Sequence, residues 1–510
     1  NSLALNLGTI NDPADNISNL TLFAPGAAGS LGFNKGIIID TTPPTVSEVR
    51  SLKPNGYYKA GEVIDIDVII SENVTVDLTG GTPVLTLNNI GNPDFTVNYS
   101  SGSGTDTLTF RYTVAANQDN IDLDYASTTS LNLNSGNIFD AATNALDVTL
   151  VAPNAVGSIS DDKQISVDTT KPTLSSVSIA SDNANSIYAK VGDTVTLTFT
   201  STETLLADPT VTIDGNAATI NNAGAPTYTA SYVMTGTGTE AALGFTIDFT
   251  DLASNAGDQV TATTDATTVT FDKTAPTLTS VSIASNNANT AVAKVGDTVT
   301  LSFTVDDTLI AAPTVTIDGQ AATIAGTAPN YTASYVLTGT DNEGALVFTI
   351  DFTDKVGNAG TQVTATTNAS SVIFDRTVPT ATSVSIASNN ANSSKAKAGD
   401  TVTLSFTVDD DMLATPTVTI QSGAATVAVA GAHPNYTATY IMTGTDTEGA
   451  VGFTLDFSDE AGNAATQVTA VTDATSVDFD RTAPTATSVT IVSNNANTAV
   501  AKAGDIITVN

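Results

Sequence analysis

The segment Asp272-Lys273-Thr274-Ala275-Pro276 returns as Asp375-Arg376-Thr377-Val378-Pro379 and again as Asp480-Arg481-Thr482-Ala483-Pro484, with a near-copy of the intervening sequence carried between them. A first copy stands at Asp168-Thr169-Thr170-Lys171-Pro172, so the successive periods are 104, 103 and 105 residues. A period that long is domain-sized. Periods of roughly 20 to 50 residues would mean a solenoid or propeller, whose units must stack on one another to bury their apolar faces. Here each repeat can fold alone. A string of near-identical folded units is suited to spanning distance, presenting surface and bearing load, and a single catalytic pocket is not its natural product. The expectation is a non-enzyme.

The repeats set the expected domains: 41–168, 169–272, 273–375 and 376–480, the first longer and different in sequence. Ile10-Asn11-Asp12-Pro13-Ala14-Asp15-Asn16 and Ala24-Pro25-Gly26-Ala27-Ala28-Gly29-Ser30 match Ile138 to Asn144 and Ala152 to Ser158, so 1–40 reads as the tail of a preceding domain. Residues 481–510 repeat only the start of a unit, and the expectation is that the protein continues on both sides.

Within 273–375, Val299-Thr300-Leu301-Ser302-Phe303-Thr304-Val305 and Leu346-Val347-Phe348-Thr349-Ile350-Asp351-Phe352 alternate apolar with polar residues, the period of a half-buried strand. Val315–Ile317, Tyr331–Leu337 and Ser371–Phe374 add further strands between Asp-Gly, Ala-Gly and Asn-Ala-Gly turns. In 41–168 the same pattern appears at Val63–Ile69 and Leu108–Val114. About seven short strands in about 100 residues predict an all-β chain of tandem immunoglobulin-like β-sandwich domains. No helical period competes.

Composition narrows the partners. Sixteen Lys and Arg against 52 Asp and Glu give a net charge of −36, which would repel nucleic acid along the whole chain. With 41% hydrophobic residues there is matter for ordinary cores. Zero cysteines remove disulfides, thiolate catalysis and Cys-based zinc sites. No stretch is apolar for the 18 or more residues of a membrane-spanning helix.

Four segments of the longer unit carry a resemblance: Tyr58-Lys59-Ala60-Gly61-Glu62, Ser71-Glu72-Asn73-Val74, Ser101–Phe110 and Asp124-Tyr125-Ala126-Ser127. With the shorter subtype they resemble the bacterial Ig-like modules of giant cell-surface adhesins, including the repetitive gliding adhesins of Bacteroidota. The resemblance covers essentially all 510 residues. It implies an extracellular, cell-surface setting and a stalk that carries a binding region, whose target would be surface glycans or other cells. Neighbouring domains of the same chain would be the partners of this segment. The other readings are an accessory array of a secreted enzyme and a surface-layer or matrix protein that assembles laterally. Mutual charge repulsion and the short Asp-x-Thr-x-Pro junctions, with proline fixing φ, lead to the expectation of an extended rod.

Acidic residues recur at fixed places in these units. The chain enters a seven-strand sandwich at one end, and the loops after its second and sixth strands return there. This groups Asp40, Glu72, Asp140 and Asn144 in the first unit, and Asp168, Glu203, Asp251 and Asn255 in the second. In the third it groups Asp272, Asp306, Asp307, Asp354 and Asn358, and in the fourth Asp375, Asp409, Asp410, Asp411, Asp459 and Asn463. Convergent like charges are costly without a counterion. Calcium suits them because it takes six to eight oxygen ligands in flexible geometry, and the absence of His and Cys argues against zinc or copper. The alternative is that Asp-x-x-x-Asn closes a turn through Asx hydrogen bonds and the junction Asp caps the linker.

At the opposite end lie Ser285-Asn286-Asn287-Ala288-Asn289 and Ser388–Asn392, with Asp341-Asn342-Glu343-Gly344 and Asp446–Gly449. These face the next junction and either complete a site between domains or form polar turns, the favoured reading. Asp193, Asp297 and Asp400 each precede Thr-Val, either a strand-initiating turn or an O-glycosylation acceptor. His433 before Pro434 reads as a surface residue.

Overall fold

A computed structural model describes residues 8–89, 91–421 and 428–510. Its contacts divide the chain into two compact units, Asn1–Asp272 and Lys273–Asn510. Among the described residues nearly all regular structure is strand.

The sandwich built on 278–374 shows how the sequence makes the fold. Thr298–Val305 reads Thr-Val-Thr-Leu-Ser-Phe-Thr-Val, and every second residue is buried. β-branched side chains suit such a pleated, half-buried surface. It pairs antiparallel with Leu278–Ser285 on one side and Asn330–Val336 on the other, and Thr323–Thr327 completes this four-stranded sheet. The facing sheet joins Gln320–Ala321, Thr314–Ile317 and Phe348–Asp351, with Val363 bridged to Ile350. Val292–Ala293 runs parallel to Ile373–Phe374. Two antiparallel sheets in this order are the immunoglobulin arrangement.

Leu301, Phe303, Ile317, Ile350 and Phe374 fill the space between the sheets with Val281, Val299 and Phe348. Each fully buried side chain of this kind contributes roughly 1.5–3 kcal/mol. Phe303 stands opposite Tyr331 in register and stacks on it at 5.8 Å, as Phe199 does on Tyr228 and Phe406 on Tyr436. Equivalent cores gather residues 177–271 and 384–479.

Two expectations change in detail. The run 346–352 is a strand only over Phe348–Asp351, because the chain changes partner there: Gly344–Ala345 pairs with Ile373–Phe374 before Phe348–Asp351 crosses to Thr314–Ile317. In the longer subtype Val63–Asp77 is one strand of 15 residues. It pairs with Thr105–Thr113, shifts register between Ile69 and Val74, and goes on to pair with Asn137–Phe139. A bulge that bends a strand lets it serve two sheets. A core of Ile64, Ile66, Val68, Leu85, Phe110 and Tyr125 lies inside.

Candidate metal centres at the sandwich junctions

The loop that follows Asn137–Phe139, Phe245–Asp248, Phe348–Asp351 and Phe453–Asp456 is built on one aspartate. Asp140, Asp251, Asp354 and Asp459 are at most 1% exposed. The amide of the residue four positions on donates to Oδ1 of each, Asn144 and Asn255 at 2.8 Å, Asn358 at 2.8 Å and Asn463 at 2.7 Å. The residue before each asparagine is left-handed, with φ 71° at Thr143, 66° at Ser254, 99° at Gly357 and 83° at Gly462. The same loop forms at Asp12, where Asn16 donates to both carboxylate oxygens and Asp15 has φ 69°.

The asparagine side chain then ties the loop to the junction. Asn144 Nδ2 donates to the backbone oxygen of Asp40 at 3.2 Å, Asn255 Nδ2 to that of Asp168 at 2.9 Å and Asn463 Nδ2 to that of Asp375 at 3.0 Å. These contacts bring three carboxylates together at each of these junctions. Oxygens of Asp40, Glu72 and Asp140 lie within 4.8 Å of one another, as do those of Asp168, Glu203 and Asp251, and those of Asp375, Asp410 and Asp459. Asp307 and Asp354 hold the corresponding places in the second unit, and Asp272 closes the first.

Asp306 and Asp409 face elsewhere. Each takes Thr277 or Thr380 in a two-point clasp, accepting from its amide at 2.7 Å and its hydroxyl at 2.6 Å. Those bonds hold both carboxyls below the usual range. Asp411 lies instead 3.9 Å from His433 Nδ1 at the surface.

Electrostatics mark the clusters as short of positive charge. Glu203 is pushed up by burial and by Asp168, Asp251 and Asp119, and Glu72 by burial and by Asp40 and Asp140. Burial chiefly, with Asp251 and Asp119, raises Asp168, and burial with Asp459, Asp410 and Glu343 raises Asp375. At Asp140 burial works upward too, but the Asn144 side chain and the loop amides outweigh it and the carboxyl falls. In the last cluster Asp459 Oδ2 is buried and has no hydrogen-bond partner. A buried carboxylate oxygen left bare is costly unless a cation completes it. Hard oxygen donors, no nitrogen or sulfur, and an orphaned carboxylate oxygen fit calcium.

The preceding sandwich also reaches the junction, which sequence reading treated as polar turns. Glu343 Oε1 accepts from the Arg376 amide at 2.9 Å and from Thr377 Oγ1 at 2.7 Å, and Glu448 does the same for Arg481 and Thr482. Asp119 plays this part for Thr169 and Thr170. Recurrence of Glu343 and Glu448 about 34 residues before each junction Thr was the available signal. Asp119 lies in an unrelated loop and gave none.

Neither a protein-family model nor a curated protein sequence matches the chain. Among solved structures it is similar to the three-Ig structure of titin domains I67–I69, in an E-to-A variant, at 9% identity over 62% of this chain and 100% of that one, with a TM-score of 0.31. It is similar to a structure bearing on host cell surface retention of a 1.5-MDa bacterial ice-binding adhesin, at 21% identity, 60% and 97% coverage and a TM-score of 0.35. Sidekick-1 immunoglobulin domains 1–4 match at 11% identity, 87% and 100% coverage and a TM-score of 0.21. Likeness at this level carries no inference about function.

Proposed function

We propose that this chain is a stalk segment of a long extracellular bacterial adhesin or surface filament, extending a binding region from the cell, with calcium bound where one sandwich meets the next. The observation that carries this reading is the carboxylate trio repeated at successive junctions, with Asp459 Oδ2 buried and bare in one of them. Each trio takes one residue from the linker and two from the sandwich that follows, so a cation there would brace the linker against that sandwich. Asp40, Glu72 and Asp140 would hold it at the first site, Asp168, Glu203 and Asp251 at the second, and Asp375, Asp410 and Asp459 at the last. A load-bearing tether gains from such bracing, whereas an isolated binding module does not need it at every joint.

Calcium sites in extracellular modules bind at about 10⁻⁴–10⁻³ M. At 10 mM calcium, mass action then stabilises each affected sandwich by about 1.4–2.7 kcal/mol. The full chain should melt at higher temperature in calcium than in chelator, with magnesium a poor substitute, and Asp459→Asn should remove the gain for one sandwich only. Identical melting curves in calcium and chelator would sink the calcium reading.

A further inference from the structure

Asp297 lies at the trailing end of its sandwich and is one of the aspartates that precede Thr-Val. Its Oδ2 accepts from Asn287 Nδ2 at 2.8 Å and from the Lys294 amide at 2.9 Å, so one carboxylate fixes both residues. The same clip recurs as Asp193 with Asn183 and Lys190, Asp400 with Asn390 and Lys397, and Asp505 with Asn495 and Lys502. In the longer subtype Glu62 holds the Lys59 amide at 2.9 Å.

What the clip presents is a donor face. Lys294 Nζ donates to the backbone oxygen of Gly462 at 2.6 Å, and Asn287 Nδ2 to that of Ala461 at 2.8 Å. Asn289 Nδ2 reaches Glu460 Oε1 at 3.3 Å. In the first unit Lys59 Nζ donates to the oxygen of Ser254 at 3.0 Å. Gly462 and Ser254 are the left-handed residues of their loops, so two sandwiches of different subtype grip the same main-chain atom of the sandwich that follows.

We propose that the trailing face carrying Lys59, and likewise that carrying Lys294, is a docking surface for the Asp-x-x-x-Asn loop of the following sandwich, and that the lysine is a fastening which holds the joint without a metal ion. An ammonium bonded to a carbonyl is a charge-assisted contact and is stronger than a neutral one. It acts on the outside of the loop, while a cation would act on its carboxylates. The inference uses the same loop as the calcium reading but does not depend on it. Its partner is a shorter-subtype sandwich of this chain, gripped by a neighbour of either subtype.

The test uses the full chain, which has no native cysteine, with spin labels at Thr332→Cys and Thr437→Cys on strands of adjacent sandwiches. Pulsed electron paramagnetic resonance gives the distribution of distances between them. In chelator the parent should show one narrow distribution. Lys294→Met should widen it about twofold, because linked domains with only polar contacts are mobile by default. Asn287→Ala should widen it less, and Lys397→Met, which lies beyond this joint, should leave it unchanged. A parent already broad in chelator, or a Lys294→Met distribution as narrow as the parent's, would overturn the proposal. If calcium narrows neither distribution while Lys294→Met still widens its own, the calcium reading fails and the lysine fastening stands.

Discussion

Glu203 shows what a single side chain contributes at a junction. Its carboxyl is raised in the folded chain by burial and by three neighbouring aspartates. The unfolded value is about 4.3. A raised folded value means that the fold binds the proton more tightly than the unfolded chain does. This contribution to stability is therefore complete below the unfolded value and is lost as pH rises through the folded one. In chelator, Glu203→Gln should raise the melting temperature near pH 7 and flatten its fall as pH rises above about 4.3. In calcium the order should reverse, because the variant gives up a ligand. Thermal melts across pH in both buffers check this, and a variant less stable than its parent in chelator at pH 7 would contradict the crowding of charge. Asp306 is the opposite lesson. It adjoins Asp307 in the sequence, yet Thr277 occupies both its oxygens, and only the fold decides which of two neighbouring aspartates faces the junction.

At the scale of elements, the first strand of each short sandwich is an edge, and unpaired edges invite association. Its free amides are covered by hydroxyls. Thr367 Oγ1 accepts from the Val281 amide at 2.9 Å and donates to the Val281 oxygen at 3.2 Å, and Ser370 Oγ accepts from the Ile283 amide at 2.9 Å. Thr264 with Thr267, and Thr472 with Thr475, repeat this in the other short sandwiches. Thr367→Val keeps the shape and removes the bonds, so it should cost about 1–3 kcal/mol, the penalty for an unsatisfied buried amide. Denaturant unfolding should show the loss in one sandwich, and a cost below about 0.5 kcal/mol would mean that water covers this edge equally well. The main strands were legible because Thr298–Val305 and its copies alternate cleanly. The segment near Thr367 was not, because it meets the edge strand through two hydroxyls and a single main-chain amide and leaves no period. The carboxylate trios were legible as recurrences, whereas the lysine grip was not: Lys294 meets Gly462 across 168 residues, and its partner is a carbonyl that every residue possesses.

At the scale of the whole molecule, each core draws on one stretch of about 100 residues, and this is what a tether under load requires. Leu301 is fully buried among Val281, Phe303, Ile317 and Ile350, all of the same sandwich, and the cluster at 384–479 shares none of these residues. Leu301→Ala should therefore cost about 2–5 kcal/mol in its own sandwich and leave the others nearly untouched. Pulling single molecules from both ends would show it directly. Each unfolding sandwich should release roughly 330–360 Å of chain for about 100 residues. In the variant, one event per molecule should move to lower force while the rest keep theirs. Calcium should raise the force of the events whose sandwiches carry a trio, and chelator should lower it, with the Leu301→Ala event still the weakest in both. One cooperative rupture of the entire chain, or a uniform weakening of every event by Leu301→Ala, would show that the cores are not independent and would remove the mechanical basis of the stalk.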